Sequence, residues 1–124
     1  MRVLHVDDDP MARELVKIGM ERYGGHEVRS FDGGSAAMDY LRTETVDLIV
    51  CDVMMAGMNG AQFIRTIRRG ALSNAPVMFL TLGFDAGADM LDALEPLAIL
   101  SKPFNPFELA GDIQQRMGQG DCAV

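Results

Sequence analysis

Short apolar runs alternate with longer amphipathic stretches five times along this chain of 124 residues, and few architectures can accommodate that rhythm. The runs are Arg2–Val6, His26–Phe31, Val46–Cys51, Pro76–Leu80 and Leu97–Leu100. Three of them, Val3–Val6, Leu48–Cys51 and Val77–Leu80, are apolar at nearly every position, which suits central parallel strands covered by helices on both faces. Glu27-Val28-Arg29-Ser30-Phe31 instead alternates polar with apolar, as an edge strand with one wetter face does. Five right-handed βα units give an open, doubly wound α/β domain, and the order 2-1-3-4-5 sets strands one and three side by side.

The intervening stretches carry helix punctuation. Pro10 lies at an opening turn, and Met11, Leu15 and Ile18 mark an apolar stripe that stops at Gly24-Gly25. A second helix is predicted at Ser35–Arg42, with Ala36, Ala37, Tyr40 and Leu41 as contacts. A third follows Gly60, with Phe63, Ile64 and Ile67 inward. Asn105-Pro106 is an N-cap and first-turn pair for a last helix over Pro106–Met117, with Phe107, Leu109 or Ala110, and Ile113 inward. Residues 1–118 are expected to form the domain and 119–124 a flexible tail.

Composition narrows the function. Eleven Lys and Arg against 18 Asp and Glu leave a formal charge of −7, which argues against the domain gripping a phosphate backbone by itself. Cys51 sits in an apolar run and Cys122 near the C-terminal end, so no disulfide framework is expected and a reducing cytoplasm fits. The N-terminal apolar run is too short for a signal peptide, and no run approaches the ~18 residues of a membrane span.

The carboxylates are the chemically loaded residues. Asp7, Asp8 and Asp9 follow the first run and Asp52 follows the third. If those runs are neighbouring parallel strands, several carboxylates meet at one sheet edge, where they repel unless a cation such as Mg²⁺ sits among them. The Met-rich segment Met54-Met55-Ala56-Gly57-Met58 hints at a soft metal, but an all-oxygen donor set lies beside it and Met more often fills space. His5 reads as a structural residue of the first strand, and nothing pairs it with His26 as a metal ligand.

Four pieces, all at strand ends, complete the pattern: Val6-Asp7-Asp8-Asp9, Asp52 through Gly60, Thr81, and Ser101-Lys102-Pro103-Phe104. In this order the chain resembles, over essentially its whole length, the receiver domain of two-component response regulators, particularly the single-domain chemotaxis type. The resemblance implies a flavodoxin-like fold and a phosphoacceptor at Asp52, supplied by a histidine kinase, a phosphotransfer protein or a small phosphodonor. It implies Mg²⁺ held by Asp7, Asp8, Asp52 and the Met54 carbonyl, with Asp8 the more direct ligand and Asp7 acting partly through water. Lys102 would pair with Asp52 and then with the phosphoryl group, which the Thr81 hydroxyl would also bind. Asp9 reads as a helix-start charge.

Several positions depart from the family pattern. Ala56 replaces a common proline, and Leu82 a small residue after the switch hydroxyl. Ile99 stands where an aromatic ring usually couples to the Ser/Thr, so switching is expected to run through the Thr81 loop and Ile99 packing. The entry to strand five is Glu95-Pro96-Leu97-Ala98, and the stretch before it carries Asp85, Asp89, Asp92 and Glu95 with no Lys or Arg. It lacks the basic partners of the charge-paired dimer face of DNA-binding members.

The expected function is a phosphorylation-controlled binding module that catalyses only its own phosphotransfer and signals to an unidentified protein target. The chain ends soon after the last helix, so the message passes to a partner protein or the chain is a piece of a larger regulator or hybrid kinase. An aspartyl-phosphate phosphatase is disfavoured because Met54 stands where its second acid belongs. A phosphorylation-independent scaffold is the other alternative, at odds with the retained acidic cluster, Thr81 and Lys102.

Overall fold

Strands that are apolar at every position need cover on both faces, and the computed structural model supplies it. It describes residues 1–55, 57–81, 91, 93–102 and 104–122, with side chains described as far as Met117. The strands β1 (Arg2–Val6), β2 (Glu27–Phe31), β3 (Leu48–Asp52), β4 (Val77–Thr81) and β5 (Ala98–Ser101) form one sheet in the order β2-β1-β3-β4-β5. Every pairing is parallel. Among the described residues the α-helices are α1 (Pro10–Lys17), α2 (Gly34–Leu41), α3 (Gly60–Arg69) and α4 (Pro106–Cys122), and a π-helical turn, Ile18–Arg22, continues α1. The predicted fold class and strand order hold. Ala56, Leu82, Asp85, Asp89, Asp92 and Pro103 lie outside the described residues.

Because successive strand residues face opposite sides, β3 divides its side chains between two cores. Ile49 and Cys51 join Leu4, Val6, Val77 and Phe79 against Ala37 and Leu41 of α2 and Phe63, Ile64 and Ile67 of α3. Leu48 and Val50 join Val3, Met78 and Leu80 against Val16 of α1, Met20, and Leu109, Ala110 and Ile113 of α4. Each fully buried side chain of this size stabilises by roughly 1.5–3 kcal/mol relative to exposure, which locks the strand register. That register sets Val6 beside Cys51 and Asp52 beside Leu80, so the strand ends that carry acidic residues are level.

The structure shifts several predicted details. β2 begins at Glu27, and β3, β4 and β5 each run one residue further than expected, so Asp52 closes its strand instead of following it. Met11 is exposed and the buried face of the first helix is Ala12, Val16 and Met20, one position round from the predicted stripe. Small Ala12, not bulky Met11, meets the sheet. Ala36 is exposed while Ala37 is buried. Phe107 is also exposed, because ~200° of helix rotation separates it from Leu109; its ring instead meets Tyr23 edge-on, with centroids 4.9 Å apart. α4 continues to Cys122, past Met117.

Helix starts fix the loops that bear the site. Asp9 caps α1 by accepting the Met11 N–H at 3.0 Å, with Pro10 opening the helix, and Asn105 accepts the Phe107 N–H at 2.9 Å. At α3, Asn59 and Gln62 form a reciprocal capping box with bonds of 2.8 and 3.0 Å, a signal that the sequence reading passed over. Gly60, the first residue of α3, lies against the Asp52 carbonyl, the Cys51 sulfur and the Val53 Cα, and a Cβ there would collide with backbone. Gly60→Ala should therefore lower stability by about 1–3 kcal/mol in urea denaturation, whereas Gly111→Ala, inside α4 where a Cβ meets nothing within 4 Å, should not lower it. Equal losses would contradict this account of the α3 approach.

Candidate functional site

β1 and β3 are neighbours that end at the same edge, so Asp7, just after β1, faces Asp52, the last residue of β3. Carboxylate oxygens of Asp7, Asp8 and Asp52 all lie within 4.8 Å of one another. Asp7 is fully buried, Asp52 is 6% exposed and Asp8 faces solvent. Lys102, just past β5, reaches across the end of β4 to both buried carboxylates, with Nζ 3.0 Å from Asp7 Oδ2 and 3.3 Å from Asp52 Oδ1. Sequence reasoning paired Lys102 with Asp52; the structure has it bridge Asp52 and Asp7, and closer to Asp7. Thr81 closes β4 and is buried, and its carbonyl accepts the Lys102 N–H at 2.6 Å.

Asp7 is the most tightly held member of the group. Its Oδ1 accepts the Asp9 N–H at 2.9 Å, and Arg13 of α1 reaches back to donate to its carbonyl oxygen at 2.7 Å. His5, two residues earlier on the same face of β1, places Nε2 3.7 Å from Asp7 Oδ2. Neither Arg13 nor His5 was assigned to the site from sequence. Arg13 lies within a helix whose start borders the acidic turn, a hint that spacing alone leaves unspecific. Asp9, capping α1, is outside the carboxylate group, in line with the reading of it as a helix-start charge. The Met54 side chain is largely exposed, and Ile99 of β5 is 37% exposed beside Phe79 of β4.

Asp7 and Asp52 share the Lys102 ammonium with Asp8 alongside, and the ionisation of the group reflects this crowding of like charge. Burial first, then the neighbouring Asp7 charge, push the Asp52 carboxyl up to about 6, with Lys102 opposing them. Burial also raises Asp7, but the His5 ring, the Asp9 N–H and the Lys102 ammonium outweigh it and hold the carboxyl well below the usual range. Burial works against the charge on Lys102, yet Asp7 and Asp52 keep it above its ordinary value. The donors are oxygens of the kind that hard divalent cations take, and they lie close enough together to hold one such ion. Cys51 is no competing ligand: burial, then the Asp52 and Asp7 charges, push its thiol far up, and its sulfur donates to the Asp52 carbonyl at 3.3 Å.

The raised Asp52 carboxyl has a measurable sign. Its folded-state value of about 6 lies above the ordinary 3.8, so the folded state binds this proton more tightly and stability falls as pH rises between the two values. Asp7 acts oppositely, but its contribution is lost only as pH falls below the ordinary carboxylate range. Without divalent cations, Asp52→Asn should match the wild type in thermal melts near pH 4 and exceed it by about 1–2 kcal/mol at pH 7.5. A gap that does not change with pH would contradict the assignment.

A family model described as the response regulator receiver domain matches residues 3–114. The transcriptional regulatory protein YvrH of Bacillus subtilis is 34% identical over 124 residues, covering 93% of this chain and 48% of that protein. The DNA-binding response regulator MtrA of Mycolicibacterium smegmatis is 34% identical over 122 residues, covering 97% of this chain and 52% of that protein. The chain spans about half the length of the curated relatives it matches. Among solved structures, the chemotaxis response regulator CheY4 of Vibrio cholerae superposes with a TM-score of 0.82 at 28% identity, covering 93% of this chain and 97% of that one. A CheY-like receiver domain protein from Methanospirillum hungatei gives 0.83 at 29% identity, covering 94% of each chain. The family match runs from β1 into α4 and takes in every residue of the acidic edge, and on it the chain belongs to the response regulator receiver domain family.

Proposed function

We propose that Asp52 is the phosphoacceptor of a Mg²⁺-dependent phosphotransfer from a histidine kinase or histidine phosphotransfer protein. The observation that carries this reading is the Lys102 ammonium set between Asp7 and Asp52 at the acidic edge. A carboxylate nucleophile needs a counter-charge for the incoming phosphoryl oxygens and a fixed line of approach, and β3 fixes Asp52 while Lys102 lies within reach. An Asp52 carboxylate oxygen attacks phosphorus, the phosphorus–nitrogen bond of the donor's phosphohistidine breaks, and its electron pair returns to the imidazole. Lys102 then exchanges its contact with Asp52 for one with a phosphoryl oxygen, and the Thr81 hydroxyl donates to another. Asp7, Asp8, Asp52 and the Met54 carbonyl would hold Mg²⁺, which when bound neutralises phosphoryl oxygens as charge builds on them.

The family are receivers in two-component signalling, not classical enzymes, and this chain in our reading catalyses only its own phosphorylation and dephosphorylation. Phosphorylation switches the binding of a protein target through the Thr81 loop and the packing of Ile99. Among the described residues no helix is long and apolar enough to cross a membrane, and action in the cytoplasm fits a buried free Cys51. The relatives include proteins described as DNA-binding, of which this chain spans about half; the −7 charge argues that the receiver itself is not what holds DNA.

Incubation with Mg²⁺ and acetyl phosphate, read on a phosphate-retarding gel, should modify the wild type and leave Asp52→Asn unmodified. Lys102→Ala should slow modification by on the order of 10²-fold, the scale lost with one electrostatic stabiliser of a transition state. Modification of Asp52→Asn, or a wild type unresponsive to both acetyl phosphate and a beryllium fluoride mimic, would overturn the reading.

A further inference from the structure

Three polar side-chain atoms beside the acidic site are buried without a hydrogen-bond partner among the protein atoms: Nδ1 and Nε2 of His5, and Oγ of Ser30. Buried polar atoms are nearly always satisfied, so three together call for a reason. His5 of β1 and Ser30 of β2 are register partners, which places their side chains on the same side of the sheet. Asp7 follows His5 by two residues on that side, and His5 Nε2 stands 3.7 Å from Asp7 Oδ2, a few tenths of an ångström beyond hydrogen-bond reach. The ring is fully buried, so each nitrogen needs a partner inside the protein, a protonated one as donor and a bare one as acceptor.

We propose that His5 is a positioning residue of the phosphorylation site: its Nε2–H donates to Asp7 Oδ2 while its Nδ1 accepts the Ser30 hydroxyl. With one proton on the ring, this arrangement gives all three atoms a partner. The opposite tautomer would turn the Nε2 lone pair toward a carboxylate oxygen and leave Asp7 without the donor. Asp7 Oδ2 is also the oxygen that Lys102 now holds at 3.0 Å. When Lys102 moves toward a phosphoryl oxygen, the His5 bond keeps the Asp7 carboxylate in place for the cation. The role in phosphotransfer rests on the reading of Asp52 as phosphoacceptor, whereas the hydrogen bond does not.

The chain has two histidines, so a ¹⁵N-histidine spectrum contains two rings, and His26→Gln assigns them. The expected result at pH 7 is His5 as the Nε2–H tautomer with a slowly exchanging ring proton. An Nδ1–H tautomer, or rapid averaging of the two, would overturn the proposal even if no His5 variant folds. With Mg²⁺ and acetyl phosphate, His5→Leu should be phosphorylated on the order of 10-fold more slowly than wild type. His5→Gln, whose amide can donate in place of Nε2–H, should recover to within about 3-fold of wild type. A wild-type rate in His5→Leu, or no recovery in His5→Gln, would show that the ring only fills space. A wild type that is never modified would sink the phosphoacceptor reading instead, with the tautomer still deciding the hydrogen bond.

Discussion

Two buried carboxylates sharing one lysine, with a third carboxylate beside them, are the interaction on which the rest of this structure turns. Asp7 and Asp52 are buried a short distance apart, and Lys102 is the described cation between them. Left alone, such a cluster costs stability through desolvation and like-charge repulsion, and the raised carboxyl of Asp52 is the direct sign of that cost. In the proposed function that crowded charge would be met by a divalent cation, and Asp52 would be the nucleophile. On that reading, instability and reactivity share one origin.

Holding that cluster together is the task of the sheet and its loops. Paired apolar strands fix where Asp7 and Asp52 end up, and register leaves little play because a slip of one residue would turn the core outward. The turn after β1 is tied by Asp9 to Asp7 Oδ1 and by Arg13 to the Asp7 carbonyl. On the other side, Gly60 lets α3 start directly against the Asp52 carbonyl, and the Asn59–Gln62 box secures that start. Such preorganisation matters because the carboxylates would otherwise swing apart to relieve their repulsion.

Much of this was legible in the sequence for identifiable reasons. Val3–Val6, Leu48–Cys51 and Val77–Leu80 announce buried parallel strands because no other short element tolerates apolar side chains on both faces. Asp7, Asp8, Asp52, Thr81 and Lys102 could be placed at one edge because strand ends in a parallel sheet converge by topology. Helix faces were less legible: with Met11 beside Ala12, bulk pointed to the wrong residue, since the small side chain is the one that lets the helix approach the sheet. Phe107 misled in the same way, being apolar yet placed at a helix start where its ring packs on Tyr23. The two-residue spacing that puts His5 on the Asp7 side of its strand was visible, though the burial of the ring was not, while Arg13 was hidden because its link to Asp7 is made by side-chain reach across space. No spacing rule encodes that reach.

The proposed function requires that Asp7, Asp8 and Asp52 together take up one divalent cation. Titrating Mg²⁺ into the protein at pH 7.5 and following the melting temperature against NaCl of matched ionic strength tests it most directly. The account predicts a saturable, single-site rise in melting temperature with Mg²⁺ that is much smaller in Asp52→Asn. A Mg²⁺ response no larger than that of NaCl, or one equal in both proteins, would contradict it.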